Sequence, residues 1–143
     1  MTFETTTPQG AKERLDGDQD WTFLDVRTVQ EFEAGHVPGA YNVPVFEMTA
    51  SGMQPNQEFL SVVQQAFTGD TSLILGCAAG IRSQRACEIL SEAGFGNTVN
   101  MDGGVDGRRD AVGQMVQEGW RGCGFECSQT PESGRTYREL RGQ

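Results

Sequence analysis

The hydrophobic residues of this 143-residue chain occur in short runs, separated by segments in which apolar positions recur every three or four residues. The runs at residues 21–27 (WTFLDVR) and 72–76 (SLILG) are rich in aromatic and aliphatic side chains and predict buried strands. Residues 40–45 and 97–101 predict two shorter strands, the first limited to an edge or a strand end by Pro44. Because strands alternate with helical patterns, we predict an α/β fold with parallel strands joined by crossover helices.

Capping signals predict two short helices in the first part of the chain. Thr7 followed by Pro8 is typical of an N-cap with proline at the first helical position. Thr28 with Glu31 three residues later fits a capping box, in which each side chain bonds the backbone N–H of the other residue. Gly35 is expected to end that second helix.

Apolar spacing predicts three further helices. Residues 55–67 carry apolar side chains on one face and predict an amphipathic helix packed on the sheet. Another helix is expected to begin near Arg82 or Ser83 and to end at Gly94. Residues 104–119 repeat the helical spacing, although each of their glycines weakens a helix by about 1 kcal/mol relative to alanine. We predict a helix there as well.

No sustained period follows residue 119. We therefore predict a domain of residues 1–119 and a C-terminal extension or tail of residues 120–143. With 36% hydrophobic and 22% charged residues, the composition is that of a globular protein.

Charge and hydropathy exclude several classes of partner. The net charge of −9 argues against nucleic acid, whose binding requires clustered Lys and Arg. No apolar run approaches the roughly 18 residues of a membrane span, and the first residues lack the pattern of a secretion signal. We therefore expect no membrane partner, a cytoplasmic location and reduced cysteines.

The candidate chemistry lies in CAAGIRS, residues 77–83, directly after the strand SLILG. Cys77 is expected at the carboxyl end of a parallel strand, where open α/β sheets bind ligands, and before a helix start with unpaired N–H groups. A thiol attacks as its thiolate, which such amides stabilise. The alternative is that Cys77 is an inert buried residue, as many free cysteines are.

The residues after the cysteine favour the reactive interpretation. Ala78, Ala79 and Gly80 are small, so their backbone amides are able to turn inward as an anion-binding nest. Arg82 adds a positive charge at the rim, or ties the loop to an acidic neighbour, for which Asp25 is the natural candidate.

Together these motifs resemble the single-domain rhodaneses, a family of sulfurtransferases. The matching stretches, in the family's order and spacing, are DVR at 25–27, EF at 31–32, GHVPGA at 35–40, NVP at 42–44, CAAGIRS at 77–83, AGF at 93–95 and GG at 103–104. The resemblance implies a parallel five-stranded sheet flanked by helices on both faces.

The resemblance also implies a double displacement. The Cys77 thiolate would take the sulfane sulfur of a donor such as thiosulfate, and the persulfide would pass it to cyanide, a cellular thiol or a protein acceptor. Asp25 and Arg27 would support the site, with no metal or other cofactor. The implied active-site loop consists of Ala78, Ala79, Gly80, Ile81, Arg82 and Ser83.

Two departures from the family pattern are visible. Ala78 stands where members active on thiosulfate often carry a basic or polar side chain, which predicts weaker use of thiosulfate. Residues 105–108 (VDGR) stand where the family often has a tryptophan, so the closing helix is expected to pack differently.

Two alternative functions remain at this stage. One is a binding or sulfur-carrier module with little turnover. The other, which we consider weaker, is phosphatase or arsenate reductase activity on the same fold. Only four residues separate Cys77 from Arg82, where a phosphate cradle of that type needs five, and Gly76 stands where those enzymes place a histidine.

The remaining cysteines and the histidine carry less information. Cys87 is interpreted as an apolar filler within a helix, whereas Cys123 and Cys127 are close enough in sequence to form a disulfide or to resolve a persulfide. His36, the only histidine, lies in the GHVPGA turn and is assigned a structural role, so zinc is not expected. Arg108 and Arg109 are interpreted as solvated surface residues.

Overall fold

A computed structural model of the chain describes residues 3–142, which form a central parallel sheet, two small hairpins and five helices. The strands are β1 Glu4–Thr6, β2 Trp21–Asp25, β3 Tyr41–Asn42, β4 Phe46–Thr49, β5 Gly52–Pro55, β6 Ser72–Gly76, β7 Thr98–Met101, β8 Arg108–Arg109 and β9 Met115–Gln117. The helices are α1 Pro8–Asp16, α2 Val29–Ala34, α3 Phe59–Ala66, α4 Ile81–Glu92 and α5 Tyr137–Leu140.

The central sheet has five strands in the order β1-β7-β6-β2-β3, and every neighbouring pair is parallel. Strand β6 lies in the middle, with Gly76 beside Asp25 of β2 and Leu75 beside Asn100 of β7. All the carboxyl ends therefore point to one edge of the sheet. The predicted α/β class and the five-stranded parallel sheet are confirmed.

Both faces of the sheet are covered, because side chains alternate along each strand with a period of two. Leu24, Leu73 and Leu75 belong to one buried cluster, which includes side chains from α3, α4 and α5. Phe23 and Ile74 belong to a second cluster, built with α1, α2 and Trp120. Helices thus flank the sheet on both faces, as the resemblance implied.

Local capping signals predicted the starts of α1 and α2 correctly. The Thr7 side chain accepts a hydrogen bond from the Gly10 N–H at 3.1 Å, with Pro8 at the first helical position. Thr28 and Glu31 form both bonds of the predicted capping box. Helix α4 begins at Ile81, one residue before the predicted start. Its C-cap is Ala93, one residue before the predicted Gly94, which follows with a φ of 99°.

The helix predicted for residues 104–119 is wrong. The segment instead forms the antiparallel hairpin of β8 and β9. The carboxylate of Asp110 accepts the N–H groups of Val112 and Gln114, both at 3.0 Å, and Gly113 takes a φ of 86° in the turn. Val112 is 80% exposed, so the helical spacing of apolar residues marked no buried face.

Strand β1 and the hairpin of β4 and β5 were not predicted. Their residues are half-buried or exposed throughout. Because few of these side chains pack in the core, no apolar run marks them in the sequence.

Residues 120–142 lie against the rest of the molecule. Trp120 and Tyr137 are buried, one in each core cluster. The backbone of Ser128 exchanges two hydrogen bonds with His36, and the Asn42 N–H donates to the Arg135 carbonyl at 2.9 Å. The segment therefore covers the β3 edge of the sheet. Whether residues 1–119 form a domain by themselves stays a prediction.

Candidate active site

The CAAGIRS loop connects β6 to α4 at the carboxyl edge of the sheet. Cys77 directly follows the central strand and is 1% exposed. Its position between a buried strand and a helix N-terminus agrees with the sequence interpretation of this loop. The thiol is therefore held at the edge where parallel sheets bind ligands.

Two backbone amides near the start of α4 donate to the sulfur of Cys77. The N–H of Gly80 donates to Sγ at 3.1 Å, and the N–H of Ser83 donates at 3.3 Å. The Ser83 hydroxyl lies 3.4 Å from the same sulfur. Of the three residues whose amides were predicted to turn inward, Gly80 donates to the sulfur, whereas the second amide comes from Ser83 in the first turn of α4. Two amides thus point at one atom, an arrangement that favours an anion.

Gly80 makes the tight curl of this loop possible. It adopts a φ of 104°, and a Cβ at this position would lie 3.2 to 3.3 Å from the backbone of residues 101–103. The left-handed conformation disfavours other residues here, and the neighbouring chain leaves little room for a side chain. The glycine of CAAGIRS is thus required by the geometry of the cradle.

Asn100, on β7, bonds both residues that donate to the Cys77 sulfur, Gly80 and Ser83. It was not predicted from the sequence. The Ser83 hydroxyl donates to Asn100 Oδ1 at 2.5 Å, and Asn100 Nδ2 donates to the Gly80 carbonyl at 3.2 Å. Its side chain is buried, so it fixes the two residues that donate to the sulfur. The signal in the sequence was a polar residue inside the strand TVNM, which we did not interpret.

Arg82 pairs with Glu31, and the predicted pairing with Asp25 is wrong. Two bonds of 2.7 and 2.9 Å join its guanidinium to the carboxylate. Glu31 lies on α2, where it also caps the helix at Thr28. The bonds from Arg82 hold the pKa of Glu31 at about 2, well below its ordinary value of 4.5, against the opposing effect of partial burial.

Asp25 is instead engaged by Arg27, two residues away. The Arg27 side chain donates to both carboxylate oxygens, with Nη2 at 2.7 Å from Oδ2, and both residues are buried. Arg27 also donates to the Gly35 carbonyl at 2.7 Å. Neither side chain forms a hydrogen bond with the Cys77 sulfur. This pair shapes the end of β2 beside the loop.

The Gly103-Gly104 pair forms the rear wall of the loop. A Cβ on Gly104 would lie 2.3 Å from the Cys77 carbonyl oxygen, so only glycine fits. The N–H groups of Val105 and Asp106 donate to the carbonyls of Cys77 and Ala78, both at 2.8 Å. This segment therefore orients the loop carbonyls away from the sulfur.

The outer side of the loop carries small and apolar side chains. Ala78 and Ala79 are half-buried, and Ile81 is 68% exposed.

The other cysteines lie in different environments. Cys87, on α4, is fully buried in the core, and burial raises the pKa of its thiol to about 12. Burial also raises the pKa of Cys123 and Cys127, and both carry free thiols. Cys87 is thus an apolar filler, as predicted.

His36 has structural contacts. Its ring stacks on Phe32 with 3.9 Å between centroids, and Nδ1 lies 2.8 Å from the Phe32 carbonyl. Within residues 3–142, no group of three or more His, Cys, Asp or Glu side chains is arranged to hold a metal ion. In the same part of the chain, no helix is long and apolar enough to cross a membrane.

Residues 7–111 match the Rhodanese family, described as a rhodanese-like domain. The match covers most of the chain, including the CAAGIRS loop. The chain therefore belongs to the rhodanese-like domain family.

Two relatives come from Arabidopsis thaliana. Rhodanese-like domain-containing protein 17 is 45% identical over 89 residues, which cover 61% of this chain and 57% of the relative. Thiosulfate sulfurtransferase 16, chloroplastic, is 44% identical over 82 residues, which cover 57% of this chain and 68% of the relative. This chain thus spans only part of the length of these relatives.

Solved structures show the same fold. Rv0390 from M. tuberculosis superposes with a TM-score of 0.74 at 27% sequence identity, over 90% of this chain and 100% of that chain. The superposition extends beyond the residues aligned with the plant relatives.

Proposed function

We propose that this protein is a sulfurtransferase that carries a sulfane sulfur on Cys77 as a persulfide. The observation that carries the proposal is the convergence of the Gly80 and Ser83 amides on one buried sulfur, at 3.1 and 3.3 Å. Such a cradle stabilises an anion without any cofactor. The family and the relative named as a thiosulfate sulfurtransferase support the same reaction class.

The reaction consists of two displacements at sulfur. In the first, the Cys77 thiolate attacks the sulfane sulfur of the donor, a new S–S bond forms, and the donor's own bond to that sulfur breaks. The leaving group, sulfite when thiosulfate is the donor, departs with the bonding electron pair. In the second, an acceptor thiolate or cyanide attacks the outer sulfur, and the Cys77 thiolate leaves.

The loop amides contribute to both steps. Negative charge moves from the Cys77 sulfur to the outer sulfur and back again. Backbone N–H groups that are already oriented stabilise this charge at no reorganisation cost. The partners are thus a sulfur donor and a thiol, cyanide or protein acceptor, and we place the protein in the cytoplasm as a prediction from its sequence.

Mass spectrometry of the intact protein tests the proposal. Reduced protein is incubated with thiosulfate or an organic sulfane donor, and cyanide is then added. We expect a gain of one sulfur atom that cyanide removes as thiocyanate, and no gain in a Cys77→Ala variant. A gain that persists in Cys77→Ala while Cys127→Ala lacks it would place the sulfur on another thiol and contradict the proposal.

A sulfur-carrier module is the second candidate, and the apolar outer side of the loop favours it. Ala78 and Ile81 offer no charged group to attract a small anionic acceptor. A carrier would load Cys77 with sulfur once, but it would transfer that sulfur to cyanide slowly and would complete few catalytic cycles. Steady-state thiocyanate formation separates the two functions, because a sulfurtransferase turns over repeatedly.

Phosphoryl or arsenate chemistry fits the site poorly. A phosphate cradle needs its arginine free to hold oxygen atoms, whereas the Arg82 guanidinium is bonded twice to Glu31. The four residues between Cys77 and Arg82 also close a smaller ring than that chemistry requires. We therefore do not propose it.

A further inference from the structure

The arginines beside the catalytic loop are all paired with carboxylates. Four such pairs lie around the carboxyl edge of the sheet, with N to O distances between 2.7 and 3.3 Å. They are Arg27 with Asp25, Arg82 with Glu31, Arg108 with Asp102, and Arg121 with Asp106.

Backbone contacts place these pairs next to the loop. Asp25 lies beside Gly76 in the sheet register, and Arg82 belongs to the loop itself. The Asp102 backbone packs against Gly80, and the Asp106 N–H donates to the Ala78 carbonyl at 2.8 Å. Each carboxylate therefore neutralises its arginine close to the site of reaction.

Of two further arginines close to these pairs in sequence, one is paired with a carboxylate and the other is bonded to a backbone carbonyl. Arg85, on α4, pairs with Glu88. Arg109 is exposed on β8 and donates to the Gly113 carbonyl at the tip of its own hairpin. Within residues 3–142, no arginine side chain forms a hydrogen bond with Cys77.

This charge balance disfavours a dianion. Thiosulfate carries two negative charges and gives up strong hydration when it enters a site, so it needs uncompensated positive charge there. The paired arginines supply little, and the whole chain has a net charge of −9. A donor with one charge loses less hydration and meets less repulsion.

We propose that the physiological donor belongs to the class of organic sulfane-sulfur compounds with at most one negative charge and an apolar group beside the transferred sulfur. This inference rests on the sulfurtransferase function proposed above. The apolar group would lie on Ala78, Ala79 and the exposed Ile81, where its burial is favourable. Organic thiosulfonates and organic persulfides share this chemistry.

Benzenethiosulfonate is a matched probe for thiosulfate, because a phenyl group replaces one charged oxygen. The Cys77 thiolate attacks its terminal sulfur, a new S–S bond forms, and the bond between the two donor sulfurs breaks. Benzenesulfinate leaves with the electron pair, as sulfite does from thiosulfate. The Cys77 persulfide is the same in both reactions.

The first experiment compares kcat/KM for the two donors with cyanide as acceptor. Each value is divided by the rate constant with which the donor sulfurates N-acetylcysteine, which removes the difference in intrinsic reactivity. We expect the normalised value to favour benzenethiosulfonate by about tenfold, the size of effect that one additional unit charge has at a partly solvated site. Equal values, or a preference for thiosulfate, would overturn the inference.

The second experiment releases the charge of Arg82. Glu31→Gln removes the carboxylate, while glutamine at this position keeps the capping box. Because the attraction to a positive charge scales with the charge of the donor, kcat/KM should rise about tenfold for thiosulfate and about threefold for benzenethiosulfonate. The matched control is Glu33→Gln, an exposed residue of the same helix, which should leave both values unchanged.

The outcomes separate this inference from the function on which it rests. If neither donor loads Cys77 with sulfur, the sulfurtransferase proposal fails. If both donors load it but Glu31→Gln changes both values by the same factor, only the donor assignment fails. If kcat/KM of Glu31→Gln rises about tenfold for thiosulfate and about threefold for benzenethiosulfonate, the result supports both the sulfurtransferase function and the donor assignment.

Discussion

At the scale of single residues, Asn100 determines the geometry of the sulfur cradle. A serine hydroxyl has one hydrogen, and Ser83 uses it in the 2.5 Å bond to Asn100. Toward Cys77, that hydroxyl is therefore an acceptor, and the backbone amides are the donors that face the sulfur. The Asn100 amide also fixes the Gly80 carbonyl. One buried side chain thus positions two residues of the loop.

Substitution of Asn100 should affect both stability and reactivity. In Asn100→Ala, the Ser83 hydroxyl and the Gly80 carbonyl lose their buried partner, which costs about 1 to 3 kcal/mol in unfolding free energy. The loop amides are also less well fixed, so sulfur loading of Cys77 should slow. Urea denaturation and the rate of persulfide formation measure the two effects.

Asn97→Ala provides the control, because Asn97 is exposed one residue before the same strand. It should leave stability within about 0.5 kcal/mol of the wild type. Equal stability of the two variants would contradict the positioning role of Asn100.

At the scale of elements, Glu31 joins α2 to the start of α4. One carboxylate accepts the Thr28 N–H in the capping box and both guanidinium bonds of Arg82. Phe32 of α2 and Leu90 of α4 are buried in different core clusters, on opposite faces of the sheet, although Val29 at the start of α2 also packs against the cluster of α4. The ion pair therefore joins the two helices across the carboxyl edge of the sheet, beside the candidate active-site loop.

This ion pair predicts a loss of stability in acid. The pKa of Glu31 is about 2 in the folded protein, below its ordinary value of 4.5, so its contribution is complete above pH 4.5 and disappears as the pH falls toward 2. Because the pair is partly exposed, we expect a contribution of about 1 kcal/mol. Glu31→Gln should therefore be less stable than the wild type at neutral pH and equally stable near pH 2.

Denaturant titrations at several pH values between 2 and 7 check this prediction. They measure the difference in unfolding free energy between the wild type and Glu31→Gln. The control is Glu33→Gln, at an exposed position of the same helix, which should leave the unfolding free energy at neutral pH within about 0.5 kcal/mol of the wild type. A constant difference for Glu31→Gln across the range would mean that the carboxylate does not stabilise the fold through its charge.

At the scale of the whole molecule, the C-terminal segment contributes to both core clusters and to the rear of the candidate active site. The backbone N–H of Trp120 donates at 2.9 Å to the carbonyl of Gly104, the same glycine that lies against the Cys77 backbone. The Trp120 ring packs on Phe23 and Phe125. Residues beyond 119 thus support the loop that holds the thiol.

Truncation of this side chain should destabilise the entire protein. Trp120→Ala removes a buried aromatic ring and should lower the unfolding free energy by about 3 to 5 kcal/mol. Val112→Ala, at an 80% exposed position, should change it by less than about 0.5 kcal/mol. Denaturant titration of both variants measures this, and a small effect at Trp120 would show that the C-terminal segment contributes little to the fold.

Much of the fold was predictable because its signals are local. The capping residues Thr7 and Thr28 bond amides within three positions of themselves, and the run SLILG is buried on both sides in the centre of the sheet. The helix prediction for residues 104–119 was wrong because the apolar spacing on which it rested is also a purely local signal. Spacing alone does not record whether Val112 has anything to pack against, and the Asp110 turn overrides it.

The sequence by itself determined the α/β class, the starts of α1 and α2 and the position of Cys77 after the central strand, since each depends on neighbours along the chain. Only the tertiary structure decided which groups meet across it. Arg82 reaches Glu31 rather than Asp25, because Arg27 already occupies the Asp25 carboxylate. Asn100 meets Ser83 only because parallel pairing of β6 and β7 brings distant residues together. Charge neutrality around the thiol follows from such pairings, which composition alone does not reveal.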